Sequence, residues 1–256
     1  MNFKFIYGPV NSWRLGSSLG IDPISTQRKV CTFDCVYCQL GPSPALSRKR
    51  KVFVLSKDIL RELKRLPEIK VDYITFSGTG EPTMARNLDE LIEAVRRSRK
   101  EKIAVFTNST LLGNSSVRRA LAGADLVEAK LDSASSRVFN AVNKPHKGFK
   151  LRGIIDGIKT FRRGYKGIFA LQIMFTPYNI RYAKKLAAIA RSIGPDEVHI
   201  NTPLRPSGAR PVSKEAISKV KKLFKGLRVV TVYDGKKSPG HKPISAAETI
   251  RRRGKV

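Results

Sequence analysis

Short apolar runs alternate with longer amphipathic ones along most of this 256-residue chain. The short runs span residues 19–24, 71–77, 103–107, 126–131, 169–175, 197–201 and 229–233. They are rich in Ile, Val and Phe and close on Gly, Asn, Ser or Pro, which suits buried strands. The longer runs carry helical spacing. Residues 56–66 open with Ser56 and Asp58 as cap candidates and repeat Ile59, Leu60, Leu63 and Leu66. Residues 88–95 repeat Leu88, Leu91, Ile92 and Val95, and 153–161, 182–193 and 214–224 behave likewise. Strand, helix, strand in repetition implies right-handed βαβ units and a parallel sheet. Six or seven units fit the length. A closed eight-unit barrel would use about 250 residues, yet roughly the first fifteen and residues 48–51 read as loop. The expectation is an α/β fold, an incomplete (β/α)6 barrel. Residues 1–210 form its core, and 211–256 form a basic C-terminal extension packed on it or trailing from it. The active site of such a fold lies where strands end and βα loops begin.

After the first strand the chain reads Val30-Cys31-Thr32-Phe33-Asp34-Cys35-Val36-Tyr37-Cys38-Gln39. All three cysteines of the protein lie here, spaced CxxxCxxC. An odd number packed into eight residues is no disulfide framework. Three thiolates on one loop can hold three corners of an iron–sulfur cubane and leave the fourth iron open to a ligand. Structural zinc is the alternative. It wants a fourth ligand, which would come from His146, His199, His241 or a carboxylate. Three inert buried cysteines are the other.

The remaining candidates fall at strand ends. Gly78, Thr79, Gly80 and Glu81 follow the second strand. The glycines expose backbone groups to a ligand, and Glu81 could take an ammonium. Alternatively this is a Gly-rich turn with Asn87 capping the next helix. Asn108 ends the third strand, where Asn and Ser also favour a plain turn. Lys130, Asp132 and Ser133 end the fourth, where Lys130 and Asp132 could face a barrel mouth or simply pair in solvent. The fifth strand carries Gln172 and Met174. Asn201 ends the sixth as a candidate adenine or ribose contact, and His199 reads as a packed strand histidine.

Charge changes the picture. Fifty Lys and Arg against 20 Asp and Glu give a formal net charge of +30. Such an excess costs stability by self-repulsion and points to a polyanionic partner, RNA before DNA or an anionic membrane surface. A merely soluble Lys/Arg-rich surface is the bland alternative. Arg48, Lys49, Arg50 and Lys51 follow the cysteine loop, and Lys144, Lys147, Lys150 and Arg152 lie between the fourth and fifth strands. Lys219, Lys221, Lys222, Lys225, Lys236 and Lys237 load the C-terminal region, and Arg251, Arg252 and Arg253 read as a solvated tail. Trp13, Phe33, Tyr37 and Phe149 are candidate base-stacking aromatics. No signal peptide and no apolar run of about 20 residues is visible, so the expectation is a cytoplasmic protein with no membrane association.

The cysteine spacing, with Tyr37 just before the third cysteine, resembles the signature of the radical S-adenosylmethionine (radical SAM) superfamily. Residues 8–10, 14–22, 31–41, 76–83, 107–108, 130–132, 143–146 and 201–203 resemble its Fe–S oxidoreductase group near the wyosine-base (tRNA imidazoguanosine) synthases. The resemblance runs from about residue 7 to 210. It implies an incomplete (β/α)6 radical SAM barrel with a [4Fe–4S] cluster on Cys31, Cys35 and Cys38. SAM would be chelated by the open iron and contacted by Tyr37, Gly78, Thr79, Gly80, Glu81, Asn108, Lys130, Asp132, Ser133 and Asn201. It implies an electron donor of reduced ferredoxin or flavodoxin type and reductive cleavage of SAM to a 5′-deoxyadenosyl radical. With the charge, it points to RNA, tRNA first, held by Arg48, Lys49, Arg50, Lys51, Lys144 and Lys147. A radical SAM enzyme of protein or small molecules and a zinc-stabilised RNA-binding protein are the competing expectations. The chain lacks the second cysteine set of the wyosine synthases, so their reaction does not follow from the likeness.

Overall fold

The structure is a computed structural model that describes residues 3–235 and 242–253; Lys236, Lys237 and His241 lie outside them. One sheet holds eight strands among these residues, in chain order. They are β1 (Ile6–Ser12), β2 (Gly16–Ile21), β3 (Tyr73–Phe76), β4 (Lys102–Thr107), β5 (Leu126–Lys130), β6 (Ile168–Met174), β7 (Glu197–Asn201) and β8 (Val229–Thr231). From β2 onward every pairing is parallel, and β1 alone runs antiparallel, against β2. The helices are α1 (Ser56–Lys64), α2 (Leu88–Ser98), α3 (Ser115–Leu121), α4 (Ser136–Val142), α5 (Leu151–Gly164), α6 (Ala183–Ile193), α7 (Lys214–Leu223) and α8 (Ala246–Arg253). The sheet curls into the partial barrel expected from the apolar spacing, with each of the seven parallel strands where a run stands.

Alternation along the strands sorts two faces. Val127, Ala129, Leu171, Ile173, Val198 and Ile200 join the main core beneath the helices. Glu128, Lys130, Gln172 and His199 occupy the intervening positions and face the lumen. The β1–β2 hairpin tip plugs the lumen floor. Leu15 packs with Ala104 and Leu126, and the Arg14 guanidinium lies over the Trp13 and Phe106 rings and bonds Glu128 at 2.6 Å. His199 sits between two carboxylates, Nδ1 2.6 Å from Glu128 and Nε2 2.9 Å from Glu197. The small Ala170 pairs with Glu197 and Glu128 in register, which leaves space for the imidazole.

Several local expectations need correction. The first fifteen residues are not loop, because β1 and its hairpin lie there. Neither Ser56 nor Asp58 caps α1: Leu55 holds the cap position without a side-chain bond, and the Ser56 hydroxyl reaches Glu90 on α2. Asn87 stands at the cap of α2 but spends its amide on the Val54 carbonyl, 3.0 Å away. Arg251, Arg252 and Arg253 are no solvated tail. They end α8, which packs against β1 with the Arg252 side chain wholly buried. The reason is a partner, Asp22, whose carboxylate is buried too.

Candidate functional site

The cysteine loop is laced to its neighbours by backbone bonds. Val30 N donates to Thr79 O at 3.0 Å, and Val30 O accepts from Glu81 N at 3.0 Å. Gly80 therefore lies against Val30 so tightly that a Cβ there would fall 1.8 Å from the Val30 carbonyl oxygen, at φ +157°. On the other side Asp34 N donates to Asn143 O, Val36 N to Val142 O and His146 N to Thr32 O. The Lys29 ammonium closes the loop by reaching Gly41 O at 2.6 Å and Asp34 at 3.4 Å.

The thiols meet polar side chains. Cys31 Sγ accepts from Asn108 Nδ2 at 3.5 Å, and Cys35 Sγ accepts from Asn143 Nδ2 at 3.6 Å. Burial and the Glu81 carboxylate push the Cys31 thiol up to about 12. Burial and the Asp132 carboxylate push Cys35 up to about 11. Such thiols ionise when a metal supplies the opposing charge, since a coordinating thiol is deprotonated outright. Among the described residues no three His, Cys, Asp or Glu side chains are gathered to hold a single metal ion. Three thiols on one loop, two of them accepting amide N–H bonds, are the donor set that suits a cubane with one iron left open.

Around the thiols the strand ends form one buried polar network. The Asp132 carboxylate accepts from Tyr37 Oη, from Asn143 Nδ2 at 2.9 Å and from Met174 N at 2.7 Å. Ser133 Oγ donates to Asn143 Oδ1 at 3.0 Å. Burial and then the Asp132 charge hold the Tyr37 phenol well above its usual range, so it stays a donor. The Lys130 ammonium lies 4.7 Å from the Tyr37 ring centre and forms no ion pair with Asp132 among the described residues. Glu81 is buried, and its carboxylate accepts from Thr83 N and Oγ1, Thr107 Oγ1 and Asn108 N. Burial raises its pKa, and those bonds pull the other way.

The sequence candidates thus divide. Tyr37, Asn108, Lys130, Asp132 and Ser133 gather at the cysteine loop, and Gly78, Thr79 and Gly80 line its other side. The carboxylates of Glu81 and Asp132 accept bonds from the protein's own groups. Asn201 is half-buried, and its Oδ1 accepts from Thr202 N at 2.8 Å, closing a local turn. Arg50 is no rim residue: its guanidinium donates to Thr83 O, Ala85 O and Ser116 Oγ and braces the loop after β3. Phe33 and Tyr37 are buried and offer no stacking face, and Trp13 lies edge-on to His199 on the floor. Asn143 was not among the candidates. Its signal was the Asn-Lys-Pro turn, where Lys144 adopts φ +43° and Pro145 bridges Phe33.

The curled parallel sheet and this cysteine loop define an enzyme class. The Radical SAM superfamily profile matches residues 29–190, and the chain belongs to that superfamily, whose cofactors are a [4Fe–4S] cluster and SAM. It is 41% identical over 214 residues to a UPF0026 protein of Synechocystis sp., covering 83% of this chain and 79% of that one. It is 35% identical over 229 residues to a UPF0026 protein of Methanocaldococcus jannaschii, covering 85% and 70%. Among solved structures, Streptococcus suis SuiB bound to S-adenosylmethionine aligns with TM-score 0.62 and 18% identity, over 80% of this chain and 48% of SuiB. The enzyme anSMEcpe with bound AdoMet aligns with TM-score 0.60 and 20% identity, over 84% and 63%. The chain thus spans half to two thirds of these solved chains, and the likeness is one of fold.

Proposed function

We propose that this radical SAM enzyme modifies RNA, with tRNA the first substrate to test. One observation carries the reading: two basic segments far apart in sequence meet beside the cysteine loop. Leu46 bridges Cys31 and Ser47 N bonds Cys31 O, so the segment carrying Arg48, Lys49 and Lys51 leaves from beside the loop. The Arg48 guanidinium lies 5.3 Å from the Phe149 ring centre and against Gly148, which brings in Lys144 and Lys147. Except for Arg48's contact with Phe149, these cations stand exposed at the rim. Such a rim suits phosphates, read without regard to sequence. The resemblance of the sequence motifs to the wyosine-base group is the reason for testing tRNA first. That group's own reaction does not follow, since this sequence holds three cysteines.

Cys31, Cys35 and Cys38 would hold the cluster, with Asn108 and Asn143 donating to two of the sulfurs. The loop of Gly78, Thr79 and Gly80, with Lys130 opposite, would receive SAM. When bound, the cluster supplies one electron that cleaves SAM and so generates a hydrogen-abstracting radical. The protein's part is to hold these groups and exclude water. A thiolate-bound cluster fed by a ferredoxin or flavodoxin type donor fits the reducing cytoplasm. The test is filter binding of tRNA at graded salt, with 5′-deoxyadenosine measured with and without tRNA. Tight binding that falls steeply with salt, and tRNA-stimulated turnover, are expected. Absence of binding at moderate salt would sink the RNA reading.

A further inference from the structure

The Arg252 guanidinium is enclosed on every side although it sits one residue from the end of a short basic helix. Nε donates to Asp22 Oδ2 at 2.9 Å, Nη2 donates to Ser25 Oγ at 3.0 Å and to the Lys4 carbonyl, and Nη1 meets Glu248. The Tyr7 ring lies beneath, 5.4 Å from its centre to the guanidinium carbon. The same Asp22 oxygen accepts from Thr79 N at 3.1 Å and Thr79 Oγ1 at 2.8 Å, while Oδ1 accepts from Ile24 N and Ser25 N. Gly78 crowds this carboxylate so closely that a Cβ would fall 2.3 Å from Asp22 Cγ. One carboxylate thus ties α8 to the loop after β3, and that loop is tied through Val30 to the root of the cysteine loop. The end of α8 also touches the segment just past Cys38, where Gln39 Nε2 donates to Arg252 O at 3.4 Å. Arg205 Nη1 bonds both Gln39 Oε1 and Arg253 O.

We propose that Arg252 is a positioning residue for the cofactor: through Asp22 it sets the loop of Gly78, Thr79 and Gly80, so docking of α8 and binding of SAM reinforce each other. The inference rests on the reading of that loop as part of the SAM site. Without the guanidinium, Asp22 is a buried charge facing only neutral donors, and the loop gives way toward water. An eight-residue helix does not hold by itself in water, so α8 needs the same contacts. Coupling between the two sites is then reciprocal.

The test uses cluster-loaded full-length protein: wild type, R252M, and R251M as a control at the neighbouring, more exposed arginine. SAM affinity comes from equilibrium dialysis, iron content from analysis, and the SAM-induced change in the reduced cluster's EPR signal from titration. R252M is expected to keep its iron and to bind SAM about tenfold more weakly, with the EPR change recovered at higher SAM. R251M, which loses a bond to the Thr26 carbonyl but no contact with Asp22, is expected to weaken SAM binding less than R252M does. Amide hydrogen exchange on wild type supplies a second reading: SAM should slow exchange across residues 246–253. Should R252M fail to fold, this measurement decides alone. Wild type that binds SAM with no change in α8 exchange, or folded R252M that binds SAM as wild type does, would overturn the coupling. Cluster-loaded wild type that binds no SAM would instead overturn the reading of the cofactor loop, and this inference with it.

Discussion

At the floor of the barrel Arg14, Glu128, His199 and Glu197 answer one another's charges. At its mouth the Asp132 carboxylate is met by Tyr37, Asn143 and a backbone N–H, all neutral, beside thiols that burial keeps protonated. Both regions are buried polar networks. The floor closes electrically among its own side chains and so behaves as structure. The mouth does not close in that way: among the described residues Asp132 has no ion-pair partner, and the thiols beside it take only amide donors. A buried polar cluster marks chemistry when its charge balance calls for a partner from outside.

The largest effect expected is at the mouth. Cys35→Ala should abolish formation of 5′-deoxyadenosine from SAM in dithionite-reduced, reconstituted protein. A variant that still makes it at the wild-type rate would remove the mouth's claim to be the reactive end. On the floor, Glu128→Leu leaves Arg14 and His199 without their shared carboxylate. It should cost about 3–5 kcal/mol in urea unfolding while folded protein retains its iron. An unchanged midpoint would mean the floor pairs are worth no more than exposed ones. Asp132→Asn puts an amide where three donors converge. A loss of about 1–3 kcal/mol is expected, now with less iron retained, and iron retention equal to wild type would detach this network from the cluster loop.

The smallest effect is a pH dependence confined to the floor. Burial alone would lower the His199 pKa, but hydrogen bonds to Glu128 and Glu197 and the Glu128 charge raise it above 6.5. Burial would raise Glu128, but the Arg14 charge and the His199 bond hold it below 4.5. The His199 hydrogen bond holds Glu197 below 4.5 as well. The histidine's contribution is complete below its ordinary pKa and fades as pH rises through the raised one. The carboxylates' contribution is complete above theirs and fades as pH falls through the lowered ones. Melting temperature should therefore peak between about 4.5 and 6.5 for this cluster. His199→Gln should flatten the alkaline limb, and a limb of unchanged slope would place the titration elsewhere.

Legibility in the sequence followed the same division. The seven parallel strands are buried on the helix side and read as apolar runs. Strand β1 did not read so, because Gly8, Pro9 and Asn11 break the pattern of an edge strand held by β2 and α8. Helices α3, α4 and α8 escaped for want of length: seven or eight residues each, stabilised by packing and caps such as Asn114 and Ser135. The cysteines were plain because their spacing is local. Asn143 bonds Cys35 across 108 residues and Arg252 bonds Asp22 across 230, and no local pattern carries such a pairing. Glu81 and Asp132 were found as residues, but their bonds to Thr107, Asn108 and Tyr37 were not, since those partners stand on other strand ends and loops.

The bonds that root Val30 between Thr79 and Glu81, and Asp34 and Val36 on the segment after α4, come from the polypeptide alone. The loop is thus pinned on two sides at fixed places along the chain. A residue inserted between Val30 and Asp34 would slide one set of these bonds off its partners while the other held, whereas a change of side chain there leaves both in place.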